Sequence, residues 1–337
     1  MFDSFNSIPL GSKPMDNPKE ASLREQTIFC STIIPTIGRP TLSRAVESVL
    51  QQQIATHSFE VLVINDSGKP LLEADWQKSE NVHMISTNQR ERSIARNTGA
   101  AAARGRYLHF LDDDDWLAPS AYQSLYGLSQ SSNAKWLYGM TQLVNRQCQP
   151  TIQLRHELNG NCCIQTMSGE WIPLQSSWID RNIFLRVGGF NPLLTGPEDI
   201  DLLRRILLTE DVCETPNIIA NVIMGGEGST TDYVQHPQAS RAAREILLDS
   251  PNIHSRMRSS AVNPFWRGRM LRVYLTSAVW NITHRRFFTV ASRMWGSMMT
   301  MPSMGTGLFS KDFWRAVLKP YASSTFANGI QQRNSAK

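Results

Sequence analysis

The stretch Tyr107-Leu108-His109-Phe110-Leu111-Asp112-Asp113-Asp114-Asp115 decides how this chain folds. Its first five residues are mainly apolar and read as a buried strand; Trp116-Leu117-Ala118-Pro119 behind them reads as a turn and a helix start. Four carboxylates therefore stand at the C-terminal end of a strand, where open α/β sheets hold their ligands. Adjacent like charges repel and raise one another's pKa unless a cation or hydrogen-bond donors compensate them. Hard divalent ions take such oxygen ligands, and Mg²⁺ combines one or two carboxylates with the phosphates of a substrate. The pattern points to a metal–phosphate site, with a solvated acidic loop as the plain alternative.

Working outward, residues 28–35 (IFCSTIIP) are a β-branched apolar run closed by proline, a first strand. Residues 41–53 carry Leu42, Ala45, Val46, Val49 and Leu50 at helical spacing. Residues 59–64 (FEVLVI) make a second buried strand closed by Asn65-Asp66-Ser67-Gly68, and 82–85 a short third. Residues 91–104 are Ala-rich and helical, stopped by Gly105. This alternation, with continuous apolar strands, predicts a mostly parallel, doubly wound α/β sheet. Residues 27–120 thus form a nucleotide-binding type of half, without internal repeats. The second half is less regular, with strands over 136–144 and 151–154 and a short helix over 182–187 before Gly188-Gly189-Phe190. Within 193–208, Thr195-Gly196-Pro197-Glu198 has capping-box spacing, and Ile200, Leu203, Ile206 and Leu207 form the apolar stripe behind it.

The 337 residues suffice for one large domain with an appendage, or for two domains. A content of 41% hydrophobic and 19% charged residues excludes a disordered chain. Cys30, Cys148, Cys162, Cys163 and Cys213 are odd in number and form no C-x-x-C pair, which suits a reducing compartment. Residues 1–26 are polar and read as a loose arm rather than a secretory signal. No stretch reaches the roughly 18 uninterrupted apolar residues of a membrane span. The net charge of +5 is uneven: residues 250–310 hold eight arginines and no acid, so the remainder carries −3.

Taken together, these residues resemble the family 2 glycosyltransferases of the GT-A fold. Ile33-Ile34-Pro35-Thr36-Ile37-Gly38-Arg39 resembles that family's first-strand motif, and Ile64-Asn65-Asp66-Ser67-Gly68 its V-D-D-G-S, with Asn for the first acid and Ser-Gly transposed. Arg96-Asn97-Thr98-Gly99 matches R-N-x-G, residues 105–115 match the strand carrying D-x-D, and Gly188-Gly189-Phe190 with Glu198-Asp199 match the late G-G-F and E-D elements. The resemblance covers residues 27–230. It implies a nucleotide-diphospho-sugar transferase-like, Rossmann-like mixed sheet flanked by helices, with a catalytic domain over 27–235, split at 120, and a helical extension over 236–337. It also implies inverting transfer of a sugar from a nucleotide diphosphate, with UDP as the expected nucleotide, to a glycan or lipid-linked acceptor on the cytoplasmic side. On that footing Pro35, Thr36, Arg39, Asp66, Arg96, Asp112 and Asp113 would surround the nucleotide sugar. Asp114 would bind Mg²⁺ or Mn²⁺, and Asp199 would be the catalytic base.

The chemistry needs both groups. A bound metal neutralises charge on the departing diphosphate, and a carboxylate takes the acceptor's proton, worth roughly 10²–10⁴-fold. The base must face the opposite side of the sugar from the leaving group, and Asp199 comes from a different segment. Each residue has a plainer role: Glu198 as the capping-box acid, Asp199 and Asp201 as acids favoured at a helix start, Asp66 as a turn residue, Arg96 as an exposed helix arginine. Some GT-A enzymes take an extra metal ligand from a late histidine, and His236 alone is placed for it, with a surface histidine as the plainer reading; Trp171, Trp178 and Gln175 fall where acceptors run, although a tryptophan is more often core. Arg256 to Arg293, interleaved with Trp266, Tyr274, Trp280, Phe287, Phe288 and Trp295, suit either an anionic membrane surface or a lid packed on the catalytic domain. No nucleic-acid module accompanies that charge. Two rivals are a sugar-1-phosphate nucleotidyltransferase, which wants a glycine-rich loop where residues 35–40 offer one glycine, and a non-catalytic nucleotide- or cation-binding module.

Overall fold

The computed structural model describes residues 28–54, 58–88, 90–194, 196–224, 237–258, 262–301 and 310–318. The arm over 1–26, Thr195 and His236 lie outside them. At the centre, β1 (Ile28–Thr36) pairs in parallel with β2 (Ser58–Asn65) and with β4 (Tyr107–Phe110), and β3 (Val82–Ser86) extends the parallel set beyond β2. Alternate residues of these strands serve two cores, as the two-residue period of a strand requires. Cys30, Ile34, Val61, Val63 and Tyr107 pack with Leu42, Ala45, Val46 and Val49 of α1 (Leu42–Leu50). Ile33, Leu62, Ile64, Leu108 and Phe110 pack with Ala95 and Ala100 of α2 (Arg92–Ala102). Gly99 lets α2 press against β1: a Cβ there would stand 2.5 Å from Cγ2 of Ile33.

Beyond β4 the sheet changes character. β8 (Ser177–Asp180) runs antiparallel to β4 and to β6 (Trp136–Val144), while β9 (Val212–Ile223) runs parallel to β6. β5 (Trp116–Leu117) adds antiparallel to β9, and β7 (Pro150–Leu154) folds back antiparallel on β6. The order is β3-β2-β1-β4-β8-β6-β9-β5, with β7 beside β6. A mostly parallel sheet therefore holds only for the first four strands. The short connection over 145–149 leaves no room for a crossover helix, so β7 returns antiparallel. Trp116-Leu117 is likewise a strand rather than a turn; α3 (Ala121–Ser131) begins only after Ser120, whose φ is 63°.

α4 (Cys163–Met167), α5 (Arg181–Arg186) and α6 (Glu198–Leu207) cover the α2 side of the sheet. The remaining helices are α7 (Pro237–Leu248), α8 (Pro251–Arg258), α9 (Pro264–Thr283), α10 (Phe287–Thr300) and α11 (Lys311–Leu318). Leu248, Ile253, Met257, Met270 and Tyr274 from these helices share one core with Ile164, Met167 and Ile206. Arg293, far from facing solvent, is buried and paired with Glu245 (3.1 Å) and Asp249. All five cysteines are free. No helix among the described residues is long and apolar enough to cross a membrane.

Candidate functional site

The C-terminal ends of β1, β2, β3 and β4 meet along one edge of the parallel set, and the quoted motifs sit there. The four aspartates form a turn closed by the Asp115 N–H on Asp112 O (3.1 Å). A tight turn sends successive side chains in different directions, and each carboxylate has its own surroundings. Asp112 accepts from Arg96 Nη2 (2.7 Å) and Gln175 Nε2 (2.9 Å). Asp113 is buried and accepts from Thr36 Oγ1 (2.6 Å) and Arg39 Nη1 (2.5 Å). Asp114 keeps 27% of its side chain exposed, with Arg39 at 3.9 Å. Asp115 is buried and accepts from the Ile223 N–H (3.0 Å). Arg44, stacked 4.0 Å over Trp116, donates to Asp114 O (2.8 Å) and fixes the turn from outside.

Asp112, Asp114 and Asp115 each place one carboxylate oxygen within 4.8 Å of the others. Asp113 stands apart from this trio, with Thr36 and Arg39. Burial would raise Asp112, yet Arg96 and Arg92 outweigh it and bring its pKa down to about 2. Burial and the charge of Asp112 raise Asp114, against the pull of Arg39. Burial, Asp112 and Asp114 push Asp115 well above the ordinary carboxylate range. In two of the three, burial and neighbouring carboxylates thus outweigh the nearby arginines. Their hard oxygen donors suit a divalent cation.

Asp66 follows β2 and is buried; its N–H donates to Thr36 O (2.8 Å) and its Oδ1 accepts from Thr87 Oγ1 (2.5 Å). The departures from V-D-D-G-S have a local cause. Asn65 donates to Lys69 O (2.7 Å) and accepts from Ser67 N (3.0 Å) and Ser67 Oγ (2.6 Å), and an aspartate could not make the first bond. Gly68 takes the positive φ of 71° that the turn needs.

Arg96 is a buried residue, not an exposed helix arginine. It donates to Asp112 through one nitrogen and to Glu198 Oε1 through another (3.2 Å), and Arg92 reaches the same oxygen at 3.4 Å. Glu198 is therefore no capping-box acid: Pro197 precedes the first turn of α6 without a side-chain cap, and the carboxylate faces two arginines instead. Beside it, Asp199 Oδ1 accepts from the Ile200 N–H (2.7 Å). Burial and the charge of Glu198 push the Asp199 pKa up to about 6, against Arg96 and Arg92. One guanidinium thus ties the acidic turn of β4 to the start of α6.

Several residues of this site were given no role by the motif reading. Arg92 stands four residues before Arg96 on one helix face, a spacing the sequence does offer. Asn97 clamps the Gly-Gly-Phe turn, donating to Phe190 O (2.8 Å) and accepting from Phe190 N (2.9 Å). His109 is wholly buried, bonded to Thr32 Oγ1 (3.0 Å) and Gln175 O (2.9 Å), and burial lowers its pKa to about 4. No local signal announces this last link. Trp178 is core, against Tyr107 and Tyr122, whereas Trp171 is half-buried with its ring edge-on to His156.

Residues 31–194 match the family model described as glycosyl transferase family 2. A glycosyltransferase of Haemophilus influenzae is 28% identical over 184 residues, covering 52% of this chain and 61% of that protein. The poly(ribitol-phosphate) β-N-acetylglucosaminyltransferase TarP of Staphylococcus aureus is 30% identical over 115 residues, 32% of this chain and 35% of that one. The chain thus spans less than two thirds of either relative. Among solved structures, S. aureus TarS 1–349 in complex with UDP-GlcNAc superposes with a TM-score of 0.55 at 13% identity, covering 81% of this chain and 90% of that one. At that identity the likeness concerns the fold, and the fold is GT-A. The match over residues 31–194 and these glycosyltransferase relatives support a family 2 glycosyltransferase.

Proposed function

We propose that this chain transfers a sugar from a nucleotide diphosphate, with UDP as the nucleotide, to a hydroxyl of a glycan or lipid-linked acceptor, inverting the anomeric carbon. The observation that carries this reading is the double engagement of Arg96, which sets the acidic turn and the first turn of α6 on the two sides of one guanidinium. Displacement from the far side requires that separation between leaving-group and base machinery. The UDP-GlcNAc held by the TarS neighbour supports a UDP-sugar donor, and the polymer named for TarP supports a hydroxyl-rich acceptor.

In this scheme Pro35, Thr36 and Asp66 receive the nucleoside, where a carboxylate at Asp66 suits the N–H of a pyrimidine base. Arg39, Asp113 and Arg96 hold the nearby acidic edge in register. Mg²⁺ or Mn²⁺ held by Asp114 with Asp112 and Asp115 would supply electrostatic stabilisation of the departing diphosphate. Asp199 takes the acceptor hydroxyl proton as that oxygen attacks. With a pKa of about 6 it is ionised at neutral pH and a stronger base than an ordinary aspartate.

A thermal-shift panel of UDP-, GDP- and dTDP-sugars with and without Mn²⁺ tests this directly. Stabilisation grows with the logarithm of saturation, about 2.7 kcal/mol at a hundredfold excess over Kd. UDP-sugars should raise Tm only with Mn²⁺, and Asp114→Ala should abolish that shift. Release of pyrophosphate from UTP and a sugar phosphate would instead make the enzyme a nucleotidyltransferase.

A further inference from the structure

α10 is amphipathic the wrong way round for a helix facing water. The side packed on the protein buries Arg293, Gly296, Ser297 and Thr300. The outward side carries Phe287, Phe288, Met294, Trp295, Met298 and Met301. Phe287, Met294, Met298 and Met301 follow a spacing of seven, four and three residues, which lines up one helix face. On the neighbouring α9, Leu275, Val279 and Ile282 repeat the pattern, again exposed.

Residues 282–288, which join the two helices, are exposed without interruption, and Phe288 at the tip is 96% exposed. Arg285 and Arg286 flank the two phenylalanines, with Arg286 5.4 Å from the Trp280 ring. No acid occurs anywhere in residues 250–310. Contiguous exposed apolar patches rimmed by polar residues mark protein or membrane interaction sites. A second copy of the chain would bring the same arginines against each other, which opposes an isologous contact. Aromatic side chains at a convex cationic tip match instead the boundary between anionic headgroups and acyl chains.

We propose that the α9–α10 hairpin and the outer face of α10 dock on an anionic lipid surface. The membrane contact belongs to these exposed residues and not to Arg293, whose charge Glu245 and Asp249 neutralise inside the protein. This inference stands apart from the catalytic reading.

Sedimentation of the full chain with phosphatidylcholine vesicles, with or without phosphatidylglycerol, provides the test. The protein should pellet with the anionic vesicles and be released by salt. Arg285→Gln and Arg286→Gln should each weaken binding about fivefold. Phe287→Ser with Phe288→Ser should abolish it while leaving the melting temperature nearly unchanged, since Phe288 is 96% and Phe287 66% exposed. Recovery in the supernatant with both vesicle types would overturn the proposal. So would concentration-dependent self-association that the double serine variant abolishes, because the face would then be a contact between copies.

Discussion

Asp199 illustrates how much one carboxylate's surroundings dictate. Its pKa of about 6 exceeds the 3.8 of a free aspartate because burial and Glu198 disfavour the charge more than Arg96, Arg92 and the Ile200 N–H favour it. The proposed base works only when ionised, so on that proposal kcat/KM for transfer should fall as the pH drops through 6, by about tenfold per unit well below it. Linkage runs the other way for stability. The folded state binds this proton more tightly than the unfolded chain, so the stability it confers is complete below about pH 4 and lost as the pH rises through 6. Asp199→Asn removes that disfavoured charge. At neutral pH it should stabilise the fold by about 2 kcal/mol and lower transfer at least about 10²-fold, with UDP-sugar binding retained. A higher melting temperature with undiminished transfer would move the base to another residue.

The elements that hold Asp199 in place depend on a clamp between α2 and the turn after α5. Asn97 engages both backbone groups of Phe190, and a Cβ on Gly189 would stand 2.6 Å from Asn97 Oδ1. Asn97→Ala leaves those two groups without protein partners and should cost about 1–3 kcal/mol. Asn97→Asp should be no milder, because it sets a carboxylate against the Phe190 carbonyl. Thermal melting measures both, and transfer should fall with them, since α6 begins eight residues after Phe190. If Asn97→Asp melts like the parent protein, the clamp is not structural. Elements of this kind also mark what the sequence made legible. Continuous apolar strands gave β1, β2, β3 and β4 to within a residue at each end, and helical stripes gave α1 and α2 with ends up to three residues too long. β8 and β9 were not legible: Ser177–Asp180 is only four residues long, and Val212–Ile223 carries Glu214, Pro216 and Asn217 within a strand. The motifs marked the edge where ligands gather. They could not say that Arg96 turns inward, because its partner Glu198 lies 102 residues away and only the packing of α6 brings it back.

At the scale of the whole molecule, the C-terminal helices and the sheet share one core rather than touching at a boundary. Met270, Val273 and Tyr274 of α9 lie in the same cluster as Ile164, Met167 and Ile206, and α4 packs on both α8 and α9. Each fully buried side chain of this size contributes about 1.5–3 kcal/mol. The three together rival the roughly 5–15 kcal/mol that holds a domain folded. A chain ending after residue 262 should therefore lose the catalytic half as well, melting at least about 10 °C lower or failing to accumulate in folded form. The full chain should melt in a single transition at every probe wavelength. By contrast, Arg293→Met removes the ion pair to the largely buried Glu245 carboxylate and should cost about 3–5 kcal/mol without changing that cooperativity. Two separate transitions in the parent protein, with UDP-sugar raising only one of them, would mean that the helices form an independent unit. The shared core predicts one transition, raised as a whole.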